Sequence, residues 1–456
     1  MKKRESLKKP QSQRPPRKQE RSSRRPEPIE ASRRRAAVAG AGAGAAVPAG
    51  SPFSVRRPVR KIRKKFKVFS VRGGIDRVFL YILLSLLVFG LVMLFSASYV
   101  VSYSETQGSE GGASSYVYII KQLGFALGGC AVMVAVSYFD YHHLHKFAFP
   151  VALVTIGLLI AVLGLRGTGF VPLVNGAYRW IFIGPINFQP SEIAKFALIL
   201  LFAHLISINY ERMETFLFGA LPFFLIYGVF AGLIVAEKHI SATVILTLLA
   251  FTMMWLGGTK IRWFVIVFGS IAAIAAVIIF FTPLGEGILD KFSYAVLRIQ
   301  SWLNPFNPPE GVDTWQTRQS LMAIGSGRLL GLGLAQSHQK YFYLPEPEND
   351  FIFAIVCEEL GFVGALAVII LFALLVWRGI VISLSAKDKF GMLLGMGLTA
   401  QVGIQAILNI CVVTNTLPNT GISLPFFSYG GTSLVMLLAQ MGVVLSISRT
   451  SNVDKA

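Results

Sequence analysis

The residue best placed to do chemistry is an acid. Asp350 ends the run Tyr343-Leu344-Pro345-Glu346-Pro347-Glu348-Asn349-Asp350, where a long polar stretch gives way to Phe351-Ile352-Phe353-Ala354. A carboxylate at such a boundary is suited to take a proton from a hydroxyl. Asp is also a favoured helix N-cap, and capping explains the position equally well from spacing alone. Glu346 and Glu348 read as solvated loop acids. A second polar group lies upstream, in Asn175-Gly176-Ala177-Tyr178-Arg179-Trp180 and Gln189-Pro190-Ser191-Glu192-Ile193-Ala194-Lys195. Pro190 suits a first helical turn, and Glu192 and Lys195 share a helix face close enough to pair. That pair is either a structural device that makes two membrane charges tolerable or a direct contact to substrate. Arg179 beside Trp180 fits a phosphate or sugar contact, and equally an interfacial Trp anchor with a headgroup-binding Arg.

Other polar residues carry weaker signals. Glu358 and Glu359 lie about two turns beyond Asp350 in an apolar stretch, where carboxylates need a partner or a cavity. Glu237, Lys238 and His239 mark a short turn that joins the same polar group. His142, His143 and His145 have no companion ligands, and Cys130, Cys357 and Cys411 have no metal-like spacing, so no metal site is expected. Gly325, Gly327, Gly331 and Gly333 match neither nucleotide fingerprint; turns and close packing are the better reading.

The elements that must position these groups are membrane helices. The chain has 456 residues, 54% hydrophobic and 14% charged, with mean hydropathy +0.60, which excludes an ordinary soluble globule. Its net charge of +20 is concentrated: 23 Lys and Arg against four Glu fall in residues 1–72, leaving 20 basic and 19 acidic residues for everything after. Residues 1–72 therefore read as a disordered basic tail with an Ala/Gly linker at 36–50. Its second basic cluster directly precedes an apolar span, which favours anionic lipid headgroups over nucleic acid as its partner. Apolar runs near the ~20 residues a bilayer requires fall at about 77–99, 116–137, 147–165, 190–207, 215–235, 240–257, 262–283, 350–377, 390–413 and 426–448. The expectation is an all-α polytopic membrane protein of ten transmembrane helices, with a membrane domain at 73–450 and a short tail at 451–456. By the positive-inside rule both termini are cytoplasmic, and the segments at 100–115, 166–189, 284–349 and 414–425 face outside. The segment 284–349, between helices 7 and 8, is too long and too aromatic for a plain connection and should fold against the outer face. No internal repeat is visible.

Taken together the motifs resemble one family. Asn175-Gly176 with Arg179-Trp180, Gln189-Pro190-Ser191-Glu192 with Lys195, Gln339-Lys340, Tyr343-Leu344-Pro345-Glu346, Asp350-Phe351-Ile352-Phe353, Glu358-Glu359-Leu360-Gly361 and Pro418-Asn419-Thr420-Gly421-Ile422-Ser423-Leu424-Pro425-Phe426-Phe427-Ser428-Tyr429-Gly430-Gly431 look like the SEDS family of shape, elongation, division and sporulation proteins. The resemblance covers about residues 75–450. The basic tail and the run from Pro418 look more like its FtsW or SpoVE members than RodA. Glu348-Asn349 stands where many members have His-Thr, and Asn187 where some carry a basic residue.

The resemblance implies a ten-helix peptidoglycan glycosyltransferase that polymerises lipid II outside the cytoplasmic membrane, with a class B penicillin-binding protein and other division proteins as partners. Asp350 matches the family's essential aspartate. Arg179, Trp180, Gln189, Ser191, Glu192, Lys195, Lys340 and Glu346 are the matching substrate-binding candidates. The chemistry is compatible. Joining a sugar hydroxyl to an anomeric carbon while a polyprenyl pyrophosphate departs needs a base but little acid, because the leaving group is already a stable anion. Glycoside hydrolysis, by contrast, normally uses two carboxyl groups. Near a helix N-terminus Asp350 is expected to stay ionised at neutral pH. Arg179, Lys195 and Lys340 are the cations expected for the pyrophosphate, with Mg or Mn as a candidate aid for which no dedicated cage is visible. A lipid II flippase, whose path would be lined by Glu192 and Lys195, is the rival reading; a septal scaffold is a third.

Overall fold

The computed structural model describes residues 73–107, 113–174, 176–184, 186–281, 297–309 and 311–451. The basic tail, Asn175 and part of the 284–349 segment lie outside these residues, as do residues 452–456. Helices dominate: α1 Arg77–Thr106, α2 Val117–Tyr138, α3 Leu144–Gly164, α4 Pro190–Asn209, α5 Leu221–Ala236, α6 Ile240–Leu256, α7 Ile261–Phe281, α8 Trp315–Ser326, α9 Ile352–Leu384, α10 Lys389–Val413 and α11 Gly431–Thr450. Among the described residues nine helices are long and apolar enough to cross a membrane, α5 being extended by a π-helical turn at Phe216–Ala220; α6 is apolar but shorter. The protein is a multi-pass helical membrane protein.

Which helices sit inside follows from their side chains. In α4, α10 and α11, 61% of the spanning stretch is buried, against 6% for Ile261–Ile278 of α7. The peripheral helices turn large apolar groups outward, among them Leu153, Phe218 and Ile120. A helix apolar all round is stable only where its outer face meets lipid. The charges at helix ends are used locally. Asp76 caps α1 by accepting from the Phe79 amide at 2.8 Å, and its buried carboxylate pairs with Arg378 of α9 at 2.8 Å. Asp388 caps α10 through the Gly391 amide at 2.9 Å.

Two features depart from a purely helical expectation. Residues 181–188 form a small antiparallel hairpin, β1 Ile181–Ile183 with β2 Ile186–Phe188, in the register Ile181↔Phe188. Ile181 packs there with Val162 and Val171 in a separate small apolar cluster. The other departure is a break in α9 at Gly361, whose backbone is left-handed in φ (φ +65°, ψ −166°). Phe351 to Glu359, just before the break, are all buried. The chain between α8 and residue 334 runs along this break: Leu332 and Gly333 donate to the Glu358 and Glu359 carbonyls at 3.0 Å, and Phe362 and Val363 donate to Arg328 and Leu329. Backbone meets backbone here, because a Cβ on Gly327, Gly331 or Gly361 would collide with main-chain atoms. Close packing at Gly327 and Gly331 is thus observed, while Gly325 has open space.

The 297–326 stretch packs on the segment after α10. Trp302 donates to the Asn415 carbonyl at 3.0 Å, Asn419 to Gln316 at 2.7 Å and Ser320 to the Val413 carbonyl at 2.8 Å. Trp302 is thereby used for docking, while Phe306 and Trp315 stay exposed.

Candidate active site

Asp350 stands two residues before α9 and does not cap it: Phe351 holds the N-cap position and no side chain bonds the first turn. Capping is therefore removed as an explanation for the acid. Its main chain is fixed instead. Asn409, in the last turn and a half of α10, donates to the Asp350 carbonyl at 2.8 Å and to the Ile422 carbonyl at 2.6 Å. One side-chain amide thus ties the acid to the segment that follows α10. In that segment Gly421 (φ +64°) lies against the carboxylate, so that a Cβ there would sit 2.9 Å from Asp350 Oδ2. Two demands, left-handed φ and the absence of a side chain, select glycine at this wall.

The acid retains some exposed surface, yet protein surrounds it closely enough for desolvation to push its carboxyl up to about 7; Glu346 adds to the rise, while Arg298 and Arg179 oppose it. Against the expectation of an acid that stays ionised at neutral pH, burial brings its titration into the neutral range. Glu346 is half-buried with left-handed φ (+51°). Arg298 donates to the Asn419 carbonyl at 2.7 Å, which holds the 297–303 stretch against the same wall.

The upstream residues form a neighbouring cluster with Arg179 as the common member. Its guanidinium donates to the Lys238 carbonyl at 2.7 Å and acts electrostatically on Asp350, Glu237 and His239. Arg166 bonds the Ala236 carbonyl, so two arginines grip the turn between α5 and α6. Glu237 in that turn is 2% exposed, and burial pushes its carboxyl up to about 8. His239 contacts Ser191 Oγ at 3.2 Å and Gln189 Nε2 at 3.4 Å through Nδ1, and burial drives its pKa down to about 3, leaving the ring neutral. Trp180 is half-buried on the strand side of Arg179.

Two of the expected cations are occupied elsewhere. Lys195, 1% exposed, pairs with Glu192 at 2.8 Å, which is the structural reading of that pair. Lys340, 3% exposed, bonds Glu359 Oε1 at 3.1 Å, the Ala335 carbonyl at 2.7 Å and Ser96 Oγ at 3.2 Å. Its ammonium is enclosed in that network and offers no open charge to a phosphate. Glu359 also accepts from the Ala335 and Ser337 amides and Ser96 Oγ, while Glu358 accepts from Ser337 Oγ and the His338 amide. The two deep carboxylates thus have the partners that burial requires, and they pin the loop leading to Asp350.

Sequence reasoning had not singled out Asn409 or Arg298, and it quoted Gly421 only within a longer motif. Nothing local marks the first two, since both act across more than fifty residues. As a whole the arrangement offers a carboxyl base of near-neutral pKa with arginines on its flank. That combination suits deprotonation of a hydroxyl next to a departing anion.

The family model described as cell cycle protein, for FtsW, RodA and SpoVE, matches residues 76–453. A probable peptidoglycan glycosyltransferase FtsW from Geobacter sp. (strain M18) is 35% identical over 377 residues, which cover 82% of this chain and 97% of that protein. Stage V sporulation protein E of Bacillus subtilis (strain 168) is 36% identical over 377 residues, with the same 82% and 97% coverage. Among solved structures, a chain described under the structural coordination of polymerization and crosslinking by a peptidoglycan synthase complex superposes with TM-score 0.64 at 24% identity, covering 84% of this chain and 99% of that one. Thermus thermophilus rod shape determining protein RodA gives TM-score 0.55 at 22% identity, again over 84% and 99%. The two structures share this chain's fold.

Proposed function

The chain belongs to the SEDS family, the FtsW/RodA/SpoVE proteins, and on that premise we propose that it is a peptidoglycan glycosyltransferase polymerising lipid II on the outer face of the cytoplasmic membrane during cell division. The observation that carries this reading is Asp350: a main-chain-anchored acid with a carboxyl pKa of about 7, flanked by Arg179 and Arg298. A base of that strength is ionised in useful fraction at neutral pH while keeping the basicity to take a proton. Asp350 removes the proton from the acceptor sugar's hydroxyl, whose oxygen bonds the donor's anomeric carbon as the bond to pyrophosphate breaks, with inversion. Arg179 and Arg298 stabilise the charge on the departing group. Gln189 and Trp180, both half-buried, line the approach, while Ser191 is buried against His239.

Mg or Mn remains a candidate aid to the pyrophosphate; with no group of three acids, histidines or cysteines converging among the described residues, such an ion would be held chiefly by the substrate's own oxygens. Bound there, it would add positive charge beside the pyrophosphate.

In the orientation proposed here both termini are cytoplasmic, α6 is counted as a tenth span, and the 284–349 segment lies outside. A class B penicillin-binding protein and other division proteins are the partners, and the basic tail engages anionic lipid rather than nucleic acid. The test is glycan-chain analysis with purified protein, lipid II and a class B partner. Asp350→Asn should abolish chain formation without changing expression or partner binding; retained polymerisation overturns the assignment. Transfer of labelled lipid II across liposomes without chains would instead identify a flippase.

A further inference from the structure

A second group of acids includes Glu348, two residues before Asp350. The end of α1 brings Glu105, the start of α2 brings Tyr118, and the segment before α11 brings Tyr429. The Tyr118 hydroxyl donates to Glu105 at 2.7 Å, and the Tyr118 and Tyr429 rings lie 4.6 Å apart. The Tyr429 amide donates to the Glu348 carbonyl at 2.9 Å, which seats this aromatic pair beside Glu348.

Glu348 is the anomaly. It is 5% exposed, and its Oε2 is buried without a hydrogen-bond partner among the described residues. Its neighbours along the loop, Glu346 and Asp350, are acids as well, and Glu105 stands on the Tyr118 hydroxyl of the same group. A buried acid facing like charges is costly, and an orphaned oxygen adds the loss of its hydrogen bond. A ligand cation would reverse both terms. Among the described residues no three acids, cysteines or histidines converge closely enough to hold a metal ion. The acids are instead accompanied by the Tyr118 and Tyr429 rings, and ring faces attract organic cations.

We propose that Glu348, Glu105 and the Tyr118–Tyr429 pair form a subsite for a primary ammonium group on the peptide arm of the lipid-linked substrate. The proposal deepens the glycosyltransferase reading and rests on it. An ammonium presents three N–H donors, enough to reach the orphaned Glu348 oxygen and Glu105 together while its charge meets the ring faces. The subsite is a specificity element beside the base and takes no part in bond formation.

The test uses the full chain with its class B partner and two probes: lipid II with a free side-chain amine on its peptide, and the same lipid with that amine acetylated. Losing a hydrogen bond to a charged group typically weakens binding about tenfold or more. Acetylation should therefore raise KM at least about tenfold in the native protein, with kcat little changed. Glu348→Gln should raise KM for the free amine by a similar factor and abolish the discrimination between the probes. Direct binding of both probes to the protein gives the same comparison without turnover. Equal KM and equal binding for the two probes, with polymerisation intact, overturn the subsite and leave the function standing. Absence of polymerisation with either probe overturns the function, and the binding comparison still decides the subsite. A Glu348→Gln protein that keeps its preference for the amine but loses a response to Mg2+ marks a metal site and also overturns the proposal.

Discussion

Replacing Lys340 by Met removes its ammonium from the buried network that holds the loop before Asp350. The pair Lys340–Glu359 is 3.1 Å long with side chains 3% and 0% exposed, and breaking such a pair from one side costs about 3–5 kcal/mol because an uncompensated charge stays behind. Glu359 would keep three donors, the Ala335 and Ser337 amides and Ser96 Oγ, which places the expected loss near the lower end, about 3 kcal/mol. At ~1.4 kcal/mol per tenfold, the loop would open about a hundred times more often. Hydrogen exchange reads this directly, since the amides of Ala335, Ser337 and His338 all donate to the two carboxylates. Their exchange should accelerate about a hundredfold, and polymerisation should fall as the loop leading to Asp350 loosens. Lys340→Met combined with Glu359→Gln leaves no orphaned charge and should lose less than the two single changes summed. Unchanged exchange in Lys340→Met, or strictly additive losses in the pair, would refute the account of a charge-balanced latch.

Two further outcomes follow from the same geometry. Because the Asp350 carboxyl is raised to about 7 and must be deprotonated to act, the polymerisation rate should fall as pH drops through about 7, and Glu346→Gln should move that limb to lower pH by removing a repelling charge; a limb unmoved by this change argues against Glu346 as a cause. Gly361→Ala places a side chain against the Leu329 and Gly331 backbone at positive φ. It should destabilise the protein by more than about 1 kcal/mol, seen as lower thermal stability in detergent, and a neutral result would mean that the crossing is not tight.

Most helices were legible because one signal, a run of apolar residues long enough for a bilayer, overrides local propensity. All ten expected spans correspond to apolar helices, though α6 falls short of full length and α11 starts at Gly431 rather than 426. The hairpin at 181–188 was passed over because its strands are three residues long and lie between two strong spans. Its signal was present in the β-branched and aromatic residues either side of Gly184-Pro185. Asp350 could be found as an acid at a helix entrance, but its burial could not, since that depends on Asn409 and Gly421 from a distant part of the chain. Lys340 misled for the same reason. A lysine near an acidic loop looks like an open cation until Glu359 and Ser96 are seen around it.

Asn409 has a mechanical corollary. Since one amide clasps the carbonyls of both Asp350 and Ile422, the base and its glycine wall form a single stiff jaw that travels as a block. Room for two bulky sugars must then be made on the other flank, where Arg179 bonds the Lys238 carbonyl and the hairpin is joined to α11 by the Thr432 hydroxyl on the Asn187 carbonyl.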